Sequence, residues 1–192
     1  STQGVSSAAS DVYKRQLLME SRTSVRRITC HLLEQGRTLP GFIGDISYAQ
    51  SNRERYEGFC QALADAGKKV DSSLCLTTPL GIDTYREEID TFLSSLSRMP
   101  DAFVCASDYV ACILMQLLEK RGLRVPEDVA VSGFDNNTED LLAEHLTTVQ
   151  VFNEELGARL ALQILYRIKY PNTPHEITYL GTNVLYRDST GD

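Results

Sequence analysis

The strongest constraint on this chain is an alternation: from about Arg22 onward, short apolar segments are interleaved with stretches of helical spacing. Val25, Ile28, Thr29, Leu32 and Leu33 recur at the helical period, and Gly36 supplies a stop. Residues 39–45 then read as an apolar strand ending in a carboxylate. A helix over about residues 51–66 turns Tyr56, Phe59, Leu63 and Ala66 inward, with Gly67 as its cap. Residues 74–78 are the next strand, and about 84–97 a helix burying Ile89, Phe92, Leu93 and Leu96. After a strand over 102–106, Asp108 is placed to cap a helix whose stripe is Val110, Ile113, Leu114, Leu117 and Leu118, closed by Gly122. A fourth strand spans 129–134, followed by a short helix near 139–144 and a β segment over 147–151. A long helix, about Asn153–Lys169, is broken by Pro171 and Pro174, and residues 177–186 are strand-like. Strands alternating with helices of this length imply βαβ units: an α/β fold with a parallel sheet flanked by helices on both faces.

The first residues differ. Ser1 to about Gln16 look foreign to the rest, the first ten being small and polar without either period, and the first 20 residues are read as a disordered leader or a scar outside the fold. The remaining composition narrows the function. A net charge of −7 argues against the chain gripping a phosphate backbone by itself. No apolar run approaches the roughly 20 residues of a membrane span. The 5 cysteines sit in apolar settings without CxxC spacing, which suits reduced core thiols in a cytoplasm rather than zinc or redox chemistry. Phosphate-cradling glycine loops and the GxSxG nucleophile elbow do not occur, and His175-Glu176 lacks the second histidine of a zinc motif. His31, His145 and His175 are scattered, so neither an enzyme, a cofactor nor a metal site is expected.

What the strands end on carries the functional argument. Asp45 ends the first, Thr77 and Thr78 the second, Ser107 and Asp108 the third, and Asp135, Asn136 and Asn137 the fourth. In a parallel sheet these ends share one edge, where open α/β folds bind ligands. Ser51, Arg53 and Arg55 open the helix after the first strand and face the same edge. Carboxylates accepting paired hydroxyls beside a guanidinium fork suit a neutral polyhydroxylated ligand. Each residue also has a plainer reading. Asp108 reads first as a helix cap, Asp135 as a cap of the following helix, Arg55 as a structural ion pair, Arg53 as a solvated charge and Asp45 as a turn former.

Two stretches resemble a known family. Arg53-Glu-Arg55-Tyr-Glu-Gly58-Phe59 resembles an R-x-x-G-aromatic element of the lactose-repressor (LacI/GalR) family of bacterial transcription regulators, and residues 122–136, GLRVPEDVAVSGFDN, resemble a second. Leu146-Thr-Thr-Val149, Glu155-Leu-Gly157 and the closing Tyr186-Arg-Asp-Ser-Thr190 fall in the family's order, so the resemblance covers about residues 21–190.

It implies a two-lobed sensor similar to type I periplasmic sugar-binding proteins, here without the helix-turn-helix headpiece, the hinge and most of the first lobe. Residues 21–150 would be the second (C-terminal) lobe, 151–185 a helix and strand of the first, and 186–192 a return to the second. Arg55 and Asp135 match the family's effector-contacting arginine and aspartate. Ser51 and Arg53 match ligand-variable positions, and Ser107 and Asp108 a site where an amide is common and the residue after it. Val151 and Phe152 depart from the usual glutamine and proline. The implied function is a cytoplasmic effector sensor, homodimeric partly through Leu141, Leu142 and the helix from Asp108, binding operator DNA only through the missing headpiece. A periplasmic sugar-binding protein of a transporter, and a small α/β enzyme, are the rival readings. On the repressor reading, the stripe Leu156, Leu160, Ile164, Leu165 and Ile168 would lie exposed without the strands it normally covers.

Overall fold

The computed structural model describes residues 15–81, 83–137, 144–174 and 176–192. At its centre is a parallel sheet of β2 (Pro40–Ile43), β3 (Cys75–Leu76), β4 (Ala102–Cys105) and β5 (Ala130–Ser132), in the order β3-β2-β4-β5. Side chains alternate across it with the strand period of two. Phe42, Ala102, Val104 and Ala130 face one side, where α1 (Arg22–Glu34) and α2 (Gln50–Asp65) bring Val25, Ile28, Leu32, Phe59 and Leu63. Ile43, Phe103, Cys105 and Val131 face the other, where α3 (Tyr85–Ser95) and α4 (Asp108–Lys120) bring Ile89, Leu93, Leu114 and Leu118. The helices thus cover both faces, as the alternation requires. Gly36, Gly67 and Gly122, just past α1, α2 and α4, have φ of +91°, +67° and +73°, the left-handed conformation that ends a helix without a Cβ clash.

A second, smaller layer stands beside this sheet. β1 (Arg15–Met19) pairs in parallel with β7 (Glu176–Leu180), and α5 (Asn153–Lys169) packs on β1. The segment entering β6 (Thr148–Gln150) runs beside the end of β5 through parallel bridges Ser132–Thr147 and Asp135–Gln150. β6 then pairs antiparallel with β8 (Asn183–Leu185). At the C-terminus Ser189 Oγ donates to the Val131 carbonyl at 2.6 Å and accepts from Thr147 N at 2.8 Å, which fastens the tail to β5.

Several expectations change. The leader does not extend to residue 20, because Arg15–Met19 form β1; its pairing partner lies far away in sequence, so no local period announces it. The strand over 177–186 is two strands in different sheets, divided at Gly181–Thr182, where Thr182 Oγ1 donates to the Glu20 carbonyl at 2.9 Å. The strand over 74–78 shortens to Cys75–Leu76. The cap of α4 is Ser107, extended at φ −153° and ψ 163°, whose Oγ accepts from Val110 N at 3.3 Å; Asp108 is the first residue inside the helix. The helix near 139–144, with Leu141 and Leu142, lies outside the described residues but for its last position, as does His175.

No residue of α5 is buried. Leu160, Leu162, Ile164, Leu165 and Ile168 are exposed, Ile168 to 73%, and on β7 Ile177 and Tyr179 are exposed too. Leu156 is half-buried.

Candidate functional site

From β2 the chain passes outward to β3, then back across to β4 on the other side of β2. The crevice at the carboxyl ends of β2 and β4 is therefore a topological switch point, the place where open α/β sheets receive ligands. α2 starts there and aims Arg55 across the end of β4. Arg55 is buried; its Nη1 donates to the Ala106 carbonyl, and its Nη2 to Asp135 Oδ1 at 3.3 Å. The guanidinium carbon lies 3.7 Å from the centroid of the Phe134 ring, so the fork is held flat against an aromatic face. Its Nε is buried with no hydrogen-bond partner among the described residues.

Asp135 follows β5 with φ +108°, and Asn136 with φ +50°, both unusual for residues with a side chain. The turn directs the Asp135 carboxylate at Arg55 while leaving 40% of the side chain open. Burial pushes the Asp135 carboxyl up to about 6; Arg55 pulls it down, and Asp108 adds to the rise. Burial lowers the Arg55 pKa from its ordinary value against Asp135, Asp108 and Glu54, and an arginine remains charged.

These residues line a cavity of about 480 Å³. Its polar wall is the main sheet's edge: Gln50, Ser51, Asn52, Arg55, Ser107 and Asp135, with Tyr48 and Tyr85. Its opposite wall is apolar, from Leu17, Leu18 and Met19 of β1 and Leu156 and Leu160 of α5. The lining contains no histidine or cysteine, and among the described residues no group of three or more His, Cys, Asp or Glu is placed to hold a metal.

Of the seven residues picked from the sequence, the fold gathers Arg55, Asp135, Ser51 and Ser107 around this cavity. Three do not line it. Asp45 Oδ1 accepts from Ser47 N at 2.7 Å, Ser47 Oγ at 2.6 Å and Tyr48 N at 3.1 Å, forming the turn after β2. Arg53 is solvent-exposed. Asp108 is buried beneath the site: its carboxylate accepts from Asn137 N at 2.7 Å and Thr148 Oγ1 at 2.5 Å, and burial raises its pKa. Sequence reasoning missed Tyr48, Gln50, Asn52, Glu54 and Tyr85, and the whole β1–α5 wall. The first four adjoin Ser51 and could have been found by extending the helix start by a turn; in the wall, α5 and its Leu156 and Leu160 are legible as a helix but their place across the cavity is not, and β1 carries no local signal.

Residues 29–190 match the model of the periplasmic binding protein-like domain family, and the chain belongs to that family. It is 35% identical over 130 residues to the HTH-type transcriptional regulator DegA of Bacillus subtilis, covering 67% of this chain and 38% of DegA. Among solved structures, a transcriptional regulator CelR–cellobiose complex superposes with a TM-score of 0.81 at 28% identity, over 90% of this chain and 53% of that one. A LacI-type transcription regulator from Bifidobacterium animalis subsp. lactis gives 0.79 at 25% identity, over 93% and 69%. The fold is thus that of LacI-family effector-binding domains, and the chain spans about half the length, or less, of the curated relatives it matches.

Proposed function

We propose that this chain is the ligand-sensing part of a LacI-type transcriptional repressor, not an enzyme, and that a small hydroxyl-rich molecule, most simply a sugar, binds between the main sheet's edge and the β1–α5 layer. The observation that carries this is the Arg55–Asp135 pair at the switch point, facing a cavity within the size range of small-molecule sites. Asp135 accepts hydroxyl donors, and the apolar wall suits the C–H faces of a sugar ring. CelR is held in complex with cellobiose, which makes a glycoside a natural first probe.

In this reading the main sheet is the second lobe. β1, α5 and β7 belong to the first, joined to it by the crossings near residues 20, 151 and 181. Ligand closes the lobes, and in a cytoplasmic homodimer closure resets the spacing of DNA-binding headpieces in a longer chain. The effector acts through its differential affinity for open and closed arrangements, about 1–3 kcal/mol of coupling in such systems.

The test is a thermal-shift screen of monosaccharides, disaccharides including cellobiose, sugar phosphates and nucleobases, followed by titration of the hit. Arg55→Ala and Asp135→Ala are each expected to weaken binding by at least about tenfold, the loss of a charge-assisted hydrogen bond. Unchanged affinity in both variants would remove the site assignment.

A further inference from the structure

Asp135 and Asn136 hold an unfavourable backbone, so something must over-determine it. Three consecutive amides are tied down: Asp135 N donates to the Val149 carbonyl at 3.1 Å, Asn136 N to Thr148 Oγ1 at 3.2 Å, and Asn137 N to Asp108 Oδ2 at 2.7 Å. The Asn136 side chain is also gripped from both ends. Its Oδ1 accepts from Arg187 Nη2 at 2.8 Å, and its Nδ2 donates to Gln150 Oε1 at 2.6 Å. Neither partner is local. Gln150 closes β6, and its Nε2 donates to the Val151 carbonyl at 2.7 Å, where the chain leaves for α5. Arg187 follows β8, where the chain has returned from β7, and its Nη1 donates to the Leu146 carbonyl at 3.0 Å.

We infer that Asn136 is a positioning residue. Held between Gln150 and Arg187, it fixes the Asp135 carboxylate against Arg55 and links it to the two strands that connect the main sheet to α5 and to β7. The link gives a ligand on Asp135 a short mechanical route to the crossing segments. Displacing the carboxylate moves the Asn136 amide, and that amide cannot move without loosening β6 or the β8 exit. The inference rests on the reading of Asp135 as a ligand contact for its functional meaning, but its structural content is testable without ligand.

The decisive variant is Asn136→Gly. Glycine keeps the positive φ accessible and alters no charge, but it also frees the backbone, so it is read together with Arg187→Lys, which breaks the clamp and leaves the 133–137 backbone unchanged. Amide hydrogen exchange of the full chain, followed by mass spectrometry, is expected to quicken about tenfold over residues 133–137 and 148–152, the loss of two side-chain hydrogen bonds, while β4 and α4 are unmoved. Arg187→Lys, which keeps the charge but not the planar fork, is expected to quicken the same segments. In parallel, cellobiose is titrated into wild type and Asn136→Gly. Unchanged exchange over 133–137 overturns the inference. So does acceleration spread evenly over β4 and α4, which marks a general loss of stability. Local quickening without cellobiose binding to either protein supports the clamp and counts only against that sugar. Cellobiose binding equally to both overturns the positioning role.

Discussion

The Arg55–Asp135 pair sets a pH dependence whose sign follows from burial. With its native carboxyl raised to about 6, Asp135 is protonated in the folded chain over a window where the unfolded chain, with an ordinary value near 4, is already ionised. Its contribution to stability is therefore greatest below about pH 4 and is lost as pH rises through about 6. Ligand binding runs the other way. A hydroxyl-donating ligand requires the carboxylate, so affinity is expected to fall about tenfold for each pH unit below about 6, and to become flat in Asp135→Asn. Calorimetric titrations between pH 4.5 and 8 (roughly the window around this value) check this; a slope of the opposite sign refutes it. Beneath the site, Gly133 lies so close to Asp108 Oδ1 and Leu146 Cδ2 that an added Cβ would collide with both. Gly133→Ala is expected to cost about 1–3 kcal/mol in urea unfolding.

At the scale of elements, the two sets of helices differ sharply in what holds them. α4 lies on β4 and β5 with Val110, Leu114, Leu117 and Leu118 buried, whereas α5 touches β1 and buries nothing fully. Phe103→Ala, in the face under α3 and α4, is expected to lower stability by about 3–5 kcal/mol. Leu165→Ala on α5 is expected to change it by less than about 0.5 kcal/mol. The same exposure makes α5 and β7 adhesive. Their uncovered leucines, isoleucines and tyrosines form an apolar face of the kind that drives association. This chain is expected to self-associate in light scattering, and Ile164→Lys with Ile168→Lys to reduce that; a wild-type monomer at high concentration would show the face to be innocuous.

For the whole molecule, the cavity has one wall on each layer, so a ligand bound there protects both. At a hundredfold excess over Kd it would add about 2.7 kcal/mol to stability. Hydrogen exchange is expected to slow at residues 48–55 and also at 17–19 and 153–160. Slowing confined to 48–55 would mean that the β1–α5 wall takes no part.

The amino-acid sequence alone determined most of the elements and their inward faces, because the helical period and the apolar run are local properties of consecutive residues: the stripe of α4, the apolar run of β4 and the full extent of α5 are all legible there. It also placed Arg55, Asp135, Ser51 and Ser107 at one sheet edge, since strand ends share an edge in any parallel sheet. It did not separate these from Asp108 and Asp45, whose identical carboxylates turn down into Thr148 and Asn137 or back onto Ser47. Nor did it reveal β1, or the grip of Arg187 and Gln150 on Asn136. Those choices depend on partners brought close only by tertiary packing, and a side chain's direction is settled by which distant group satisfies its hydrogen bonds at least cost.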